Sequence, residues 1–423
     1  MSGTIGSLRR FLGGSGGIVV GTAVMNFCTF GFTIVAAGIL DTSSYGAFFA
    51  LLNLLMVISV VNLGLQATAA RRIVAEPGSV ARIEHAILRV GYLTALAVGG
   101  ALVVLSPAVT WLLQLDSVVP ALVLAGLAVP TTIMGAQVGI LQGEKRWVAL
   151  SWVYVLAGVP RIAGLALLWA HPTEAIALFG SGLGFIAPVL LGWWVLRRPR
   201  ADALPGGRTE PTASGPLVRE ALHSAQALLA FYALASVDIV VARHVLTDHA
   251  SGLYAVGLLV AKTMLYLPQF VVIVMFPSLA SAHQRRRAVL RGTTAILAMG
   301  AVCTLGVLLL SRTAADVLHS EKMQAVEDHL WLFAVLGTLL SLIQLLVYAT
   351  LARQGRRAIH LVWAALAVCV VAGAATTTPT QLLSVMIGVT AVLTAALFVT
   401  SLRSESPSGA SVGGLVPAAT RAD

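Results

Sequence analysis

Three ionisable side chains lie deep inside long apolar runs: Arg161, Asp238 and Lys262. On helices rising 1.5 Å per residue they sit roughly 13, 10 and 15 Å from the same side of the membrane, and so share one depth band. A charge at such depth costs at least ~2.5–3.5 kcal/mol unless it faces a cavity or a partner. Two cations against one acid favour an anion as ligand, with Lys262 and Arg161 holding it and Asp238 titrating or tuning the charge. Two plainer readings stand beside this one. Asp238 and Lys262 can form an interhelical ion pair that locks two helices, and Arg161 can satisfy carbonyls freed by Pro160. Arg243 lies at the edge of its run, about 140° round the helix from Asp238. It is expected to snorkel to headgroups.

Polar side chains in neighbouring runs are candidates to extend such a cavity: Asn26, Asn53, Asn62, Gln66 and Gln269, with Gln137 and Gln344 beside them. On an unbroken helix Asn53 and Asn62 point ~180° apart, so with Gln66 they cannot all share one face. Interhelical hydrogen bonding is their alternative role. Pro107, Pro130, Pro160, Pro188 and Pro268 fall inside runs and predict kinks.

Catalytic constellations are missing from the sequence. The nine histidines are scattered near run ends without an HExxH pair, and His244 and His249 are too far round a helix to share a ligand. Gly13 to Gly17 is glycine-rich but lacks the following GK[ST] of a phosphate loop. No Asp-x-Asp pair is present to hold a metal–nucleotide sugar. Cys28, Cys303 and Cys369 are far apart in apolar runs and read as buried small hydrophobes. The expectation is therefore a protein that is not an enzyme and needs no cofactor or metal.

These residues need scaffolding of a particular kind. Of 423 residues, 58% are hydrophobic and 10% charged, against ~25% charged in soluble domains. A charged surface cannot be made from so few, so the fold class is an all-α polytopic membrane protein. Hydropathy places about twelve transmembrane helices near 16–38, 46–66, 90–113, 119–141, 148–170 and 175–196, then 221–243, 252–276, 292–311, 329–351, 359–375 and 381–401. Each must be helical, because backbone in hydrocarbon has to satisfy its own hydrogen bonds.

Charge orients the spans. With the N-terminus inside, the inner segments hold 22 Lys and Arg against eight acids, and the outer loops two against eight. This positive-inside bias puts both termini in the cytoplasm of a multi-pass protein of the cell membrane. The formal charge of +10 then reflects anionic lipid headgroups rather than nucleic acid, which is not expected as a partner.

Residues 1–196 form an N-terminal lobe of six spans, 197–220 a Pro-, Gly- and Arg-rich cytoplasmic linker, 221–403 a second lobe of six, and 404–423 a disordered tail. The lobes echo one another. Gln142-Gly143-Glu144-Lys145-Arg146 is matched by Gln354-Gly355-Arg356-Arg357, and Tyr45-Gly46 by Gly252 and Tyr254. Transporters built from such repeats carry their site between the halves near the midplane. Residues 4–12 and 79–90 are amphipathic and read as helices lying flat on the membrane.

The stretch NFCTFGFTIVAAGILDTSSYGAFFALLNLL, with its Tyr45-Gly46 pair, and the Asp238, Gly252, Tyr254 and Pro268 of spans seven and eight resemble a known family. They are similar to the polysaccharide-biosynthesis (O-antigen, Wzx-like) flippases of the multidrug/oligosaccharidyl-lipid/polysaccharide exporter superfamily. Asp41, where glycine is usual, and Gly257, where alanine is common, depart from the pattern. The resemblance implies a V-shaped cavity between lobes of a MATE-like fold. It also implies a substrate, a polyprenyl-diphosphate-linked oligosaccharide, flipped from inner to outer leaflet for cell-surface polysaccharide biosynthesis. Coupling to H+ or Na+ through Asp238, and pathway glycosyltransferases or a polymerase as partners, are further expectations. The rivals are a cation-coupled multidrug exporter of the same fold, which requires acidic cavity residues, and a non-transporting membrane scaffold, in which the deep charges are closed ion pairs.

Overall fold

A computed structural model of the chain describes residues 15–75, 77–197, 226, 228–266, 285–317, 325–351 and 356–403. Among them the chain is helical and contains no strand. The helices are α1 (Ser15–Ile39), α2 (Thr42–Ile58), α3 (Val60–Ala75), α4 (Val80–Val104), α5 (Ser106–Leu112), α6 (Val119–Gly143), α7 (Trp147–Gly158), α8 (Pro160–Ala170) and α9 (Glu174–Leu196). There follow α10 (Val237–Val245), α11 (Asp248–Tyr266), α12 (Arg285–Val317), α13 (Leu330–Leu351), α14 (Arg356–Ala374) and α15 (Pro379–Arg403). Ten helical stretches among the described residues are long and apolar enough to cross a membrane. The other two expected spans coincide with α11 and with α14, whose apolar part is Ile359–Ala374.

The surface confirms what solvent the helices face. Phe27 and Trp169 are each 81% exposed and Val104 78%, an outward apolar display that only lipid tolerates. The interior is a continuous core that includes Tyr45, Phe48, Phe231 and Tyr254. The helices of residues 15–197 pack mainly on one another, as do those of 228–403. The two groups meet chiefly where α2 packs against α10 and α11.

Several spans are broken rather than straight. Pro160 separates α7 from α8, because it lacks the N–H that would continue the ladder. Ser59 separates α2 from α3 and folds its hydroxyl back to the Met56 carbonyl, 2.7 Å away. Ser106, ahead of Pro107, does the same to Val103 at 2.7 Å between α4 and α5. A further break at Ala235–Ser236 precedes α10.

One expectation is corrected. Residues 79–90 do not form a separate helix on the membrane surface: from Val80 they are the first turns of α4. Their apolar face, Ile83 and Ile87, packs against Ala69, Ile73, Ala136 and Ile140 of α3 and α6. The amphipathic stripe was real, but protein rather than lipid covers it. The amphipathic segment 4–12, the linker after Arg197, Pro268, Gln269, Gln354 and the tail lie outside the described residues.

Candidate functional site

Near mid-span, between α1, α2, α3, α6, α8, α9 and α11, lies a cavity of about 320 Å³. At ~30 Å³ per water it holds on the order of ten waters, or a hydrated ionic group. Arg161 and Lys262 both line it, as do Asn26, Asn53 and Asn62. Five of the residues singled out from sequence are therefore brought to one space. The break at Ser59, itself in the lining, is what allows Asn53 and Asn62 to do so from positions that an unbroken helix would turn apart. The rest of the wall combines hydroxyls, those of Thr29, Thr33 and Thr131, with apolar side chains such as Met25, Phe49, Leu52, Phe185 and Leu259.

How each cation is held follows from the helix breaks. Pro160 interrupts the ladder, and the Arg161 Nε–H donates to the Ala157 carbonyl at 2.9 Å. The guanidinium carbon lies 5.0 Å above the Phe185 ring, a cation–π contact. Arg161 is buried, and its two terminal nitrogens make no hydrogen bond within the described residues, so they remain free to serve a ligand. The carbonyl-pairing reading thus accounts for one of the guanidinium's nitrogens and leaves a fork facing the cavity.

At the second break, the Ile239 N–H bonds the Asp238 carboxylate at 2.8 Å instead of the carbonyl one turn back. That carbonyl, of Ala235, accepts from the Lys262 ammonium. Asp238 and Lys262 interact electrostatically, yet their contacts run through the backbone of the break and not through a direct ion pair. Lys262 keeps two of its three N–H donors unassigned. Asp238 is buried but is not part of the cavity wall, so the lining among described residues contains two cations and no carboxylate.

Asn53 is pinned, donating to the Phe49 carbonyl at 2.8 Å and accepting from Ser236 at 3.3 Å. Gln66 lies elsewhere: its amide donates to Gln142 at 3.0 Å, between α3 and α6. Gln137, facing Val189 at 3.2 Å, and the buried Gln344 of α13 are likewise outside the wall. The hydroxyls of Thr29, Thr33 and Thr131 bond back to carbonyls at 2.7, 2.9 and 2.7 Å. Sequence reasoning passed over them because such threonines are commonplace in apolar helices.

Arg243 does not snorkel. It is 4% exposed, and its Nε–H donates to the Leu113 carbonyl at 2.9 Å. A terminal nitrogen donates to the Gln114 carbonyl, and the other lies 3.6 Å from Asp248. Leu113 and Gln114 directly follow α5, where carbonyls have no helical partner. Beside them His244 meets the Gln114 amide at 2.9 Å and stacks 5.2 Å from Trp111. Gly46 and Gly252 meet at the same end: a methyl on Gly46 would stand 3.0 Å from the Gly252 Cα, and one on Gly252 1.9 Å from the Thr42 carbonyl oxygen. The two echoed motifs thus touch each other, and this end of the bundle is shut.

Fold and cavity together define a class. The chain has the architecture of the MATE transporters of the MOP superfamily. It superposes on an inward-facing multidrug resistance MATE family transporter with a TM-score of 0.70 at 14% identity, over 90% of this chain and 94% of that one. An outward-facing transporter of the same description gives 0.64 at 15%, over 92% and 93%. A MOP superfamily transporter from Pyrococcus furiosus, described as having a binding pocket of reverse polarity, gives 0.58 at 15%, over 92% and 93%. The shared architecture is that of a multi-pass membrane fold. The family model described as polysaccharide biosynthesis protein matches residues 12–283, and the chain belongs to that family. No curated protein matches it.

Proposed function

We propose that the protein flips a polyprenyl-diphosphate-linked oligosaccharide from the inner to the outer leaflet of the cytoplasmic membrane, by alternating access, in the making of a cell-surface polysaccharide. The observation that carries this reading is the polarity of the cavity: among the described residues its wall holds two cations with unspent donors and no carboxylate. A diphosphate stripped of water needs such donors, since an isolated buried charge is otherwise prohibitive. Lys262 and Arg161 hold the diphosphate, Asn26 and Asn62 meet the first sugar hydroxyls, and the polyprenyl tail stays in lipid. The 320 Å³ space suits the diphosphate and not a whole glycan, so the cavity must widen as residues 1–196 and 221–403 rock.

With the positive-inside count placing the Arg243 end outside, we read this arrangement as the inward-facing half of the cycle. Asp238 acts on Lys262 through the break at Ala235, and a cation binding at its carboxylate is the route by which H+ or Na+ would couple.

The test uses purified protein in liposomes with a lipid-linked oligosaccharide. Wild type moves it; Arg161→Met with Lys262→Met abolishes movement while thermal unfolding and elution profile stay native. Unchanged flipping in that folded double variant refutes the site. The multidrug reading draws on the Met and Phe lining, and export of cationic dyes by wild type, with no flipping, decides for it.

A further inference from the structure

A second concavity, unconnected with the cavity above, opens on the lipid-facing side at the opposite end from Arg243. It is about 470 Å³ and lies between the α6–α7 turn and the last turns of α9. Its mouth carries Lys145 and Arg146, and its walls include Trp152, Leu191 and Trp194. Trp152 and Trp194 are 57% and 51% exposed, the setting in which tryptophan rings border headgroups.

We infer that this groove binds an anionic phospholipid of the bilayer, with the phosphate on Lys145 and Arg146 and the first acyl carbons along Trp152 and Leu191. The polarity gradient argues it. Charge is confined to the helix-end mouth, and from Trp147 to Trp152 the wall runs five residues, ~7.5 Å, toward the bilayer centre. The groove faces surface that is otherwise apolar and exposed, such as Val148, so an occupant must be amphipathic and arrive from the membrane.

The basic groups are placed for this. Arg146 is fixed by a bond to the Val195 carbonyl at 3.3 Å and an ion pair to Glu144 at 3.6 Å. Glu144 offsets part of its charge. Lys145 is exposed, and among the described residues its side chain has no hydrogen-bond partner. It stands at φ 56°, in the left-handed turn that joins α6 to α7. Arg197, one residue past α9 and stacked 3.5 Å over the Trp193 ring, adds positive field at the same end.

Native mass spectrometry of the detergent-solubilised full chain tests this with three probes: phosphatidylglycerol, phosphatidylcholine and inorganic phosphate. Phosphatidylglycerol is expected to be retained in preference to phosphatidylcholine, and phosphate alone to leave no adduct and not to compete. Lys145→Asn removes the charge with a residue that tolerates the left-handed turn. It should weaken phosphatidylglycerol binding about fivefold. Lys145→Glu should weaken it further, and Trp152→Ala should weaken both lipids. Equal retention of the two lipids, competition by phosphate, or unchanged binding in Lys145→Glu would overturn the inference.

Discussion

Replacing Arg243 with Met should open the shut end of the bundle. Two of its bonds go to the Leu113 and Gln114 carbonyls, which belong to the opposite group of helices. Hydrogen bonds to a charged donor contribute ~1.5–3 kcal/mol each. Met fills much of the same volume but offers no donor, so in the closed state the buried Leu113 carbonyl and the half-buried Gln114 carbonyl both lose their donor. In the open state water reaches them, and the variant costs that state little. A differential of about 3 kcal/mol follows, which moves a closed–open equilibrium by a factor on the order of 10². Hydrogen–deuterium exchange, read by mass spectrometry, measures it: peptides covering residues 41–52, 106–116 and 246–256 should take up deuterium faster, while those of α6 and α9 should not change. Arg243→Lys reaches one carbonyl and should fall between. Unchanged uptake in a variant of unchanged thermal stability refutes the claim that Arg243 holds this end together.

Other substitutions separate the roles further. Gly252→Ala puts a methyl 1.9 Å from a backbone oxygen and should hold the same end apart, slowing flipping, whereas Gly46→Ala, at 3.0 Å, should have the smaller effect in the same assay. Asp238→Asn keeps an oxygen for the Ile239 N–H and should fold normally, but its flipping should lose dependence on an imposed ion gradient. Asp238→Ala leaves that N–H without its acceptor and should destabilise by about 1–3 kcal/mol in thermal or denaturant unfolding. Gln66→Leu should leave flipping at wild-type rates, since its amide serves Gln142 outside the cavity.

How much of this was legible in the sequence depends on the kind of force involved. The all-helical membrane class was, because 58% apolar residues admit few other solutions, and so was the superfamily, from Tyr45-Gly46 and the Asp238 to Tyr254 stretch. The depth band of Arg161 and Lys262 follows from counting along helices. What surrounds a side chain does not. From sequence Arg243 reads as a headgroup residue because edge arginines snorkel, and nothing in its own helix reveals that α5 ends opposite it. The stripe of Ile83 and Ile87 was assigned to lipid because a one-sided apolar helix looks the same whether membrane or α3 and α6 cover it. Gln66 and Asn62 are four residues apart on one helix, yet only Asn62 borders the cavity, a difference made by neighbours and not by spacing.

The three buried basic side chains at this core share one device, and the way it differs among them separates holding from binding. Each spends a donor on a carbonyl released where a helix ends or breaks: Arg161 on Ala157 after Pro160 intervenes, Lys262 on Ala235, and Arg243 on Leu113 and Gln114. A single such bond fixes a flexible cationic chain and repays part of its desolvation. Arg243 goes further: every nitrogen has a protein acceptor or acid within reach, counting Ser251 at 3.5 Å and Asp248 at 3.6 Å. With every nitrogen engaged inside the protein, its role is to close. Among the described residues Arg161 and Lys262 stop at one hydrogen bond each and keep their remaining donors beside open volume. A cation left half-satisfied at this depth is costly, and that cost falls when an anion arrives. By this argument adding a diphosphate analogue to the purified protein should raise its melting temperature, and Arg161→Met with Lys262→Met should melt no lower than wild type while showing no such rise. A double variant that still gains stability from the analogue would place the anion elsewhere.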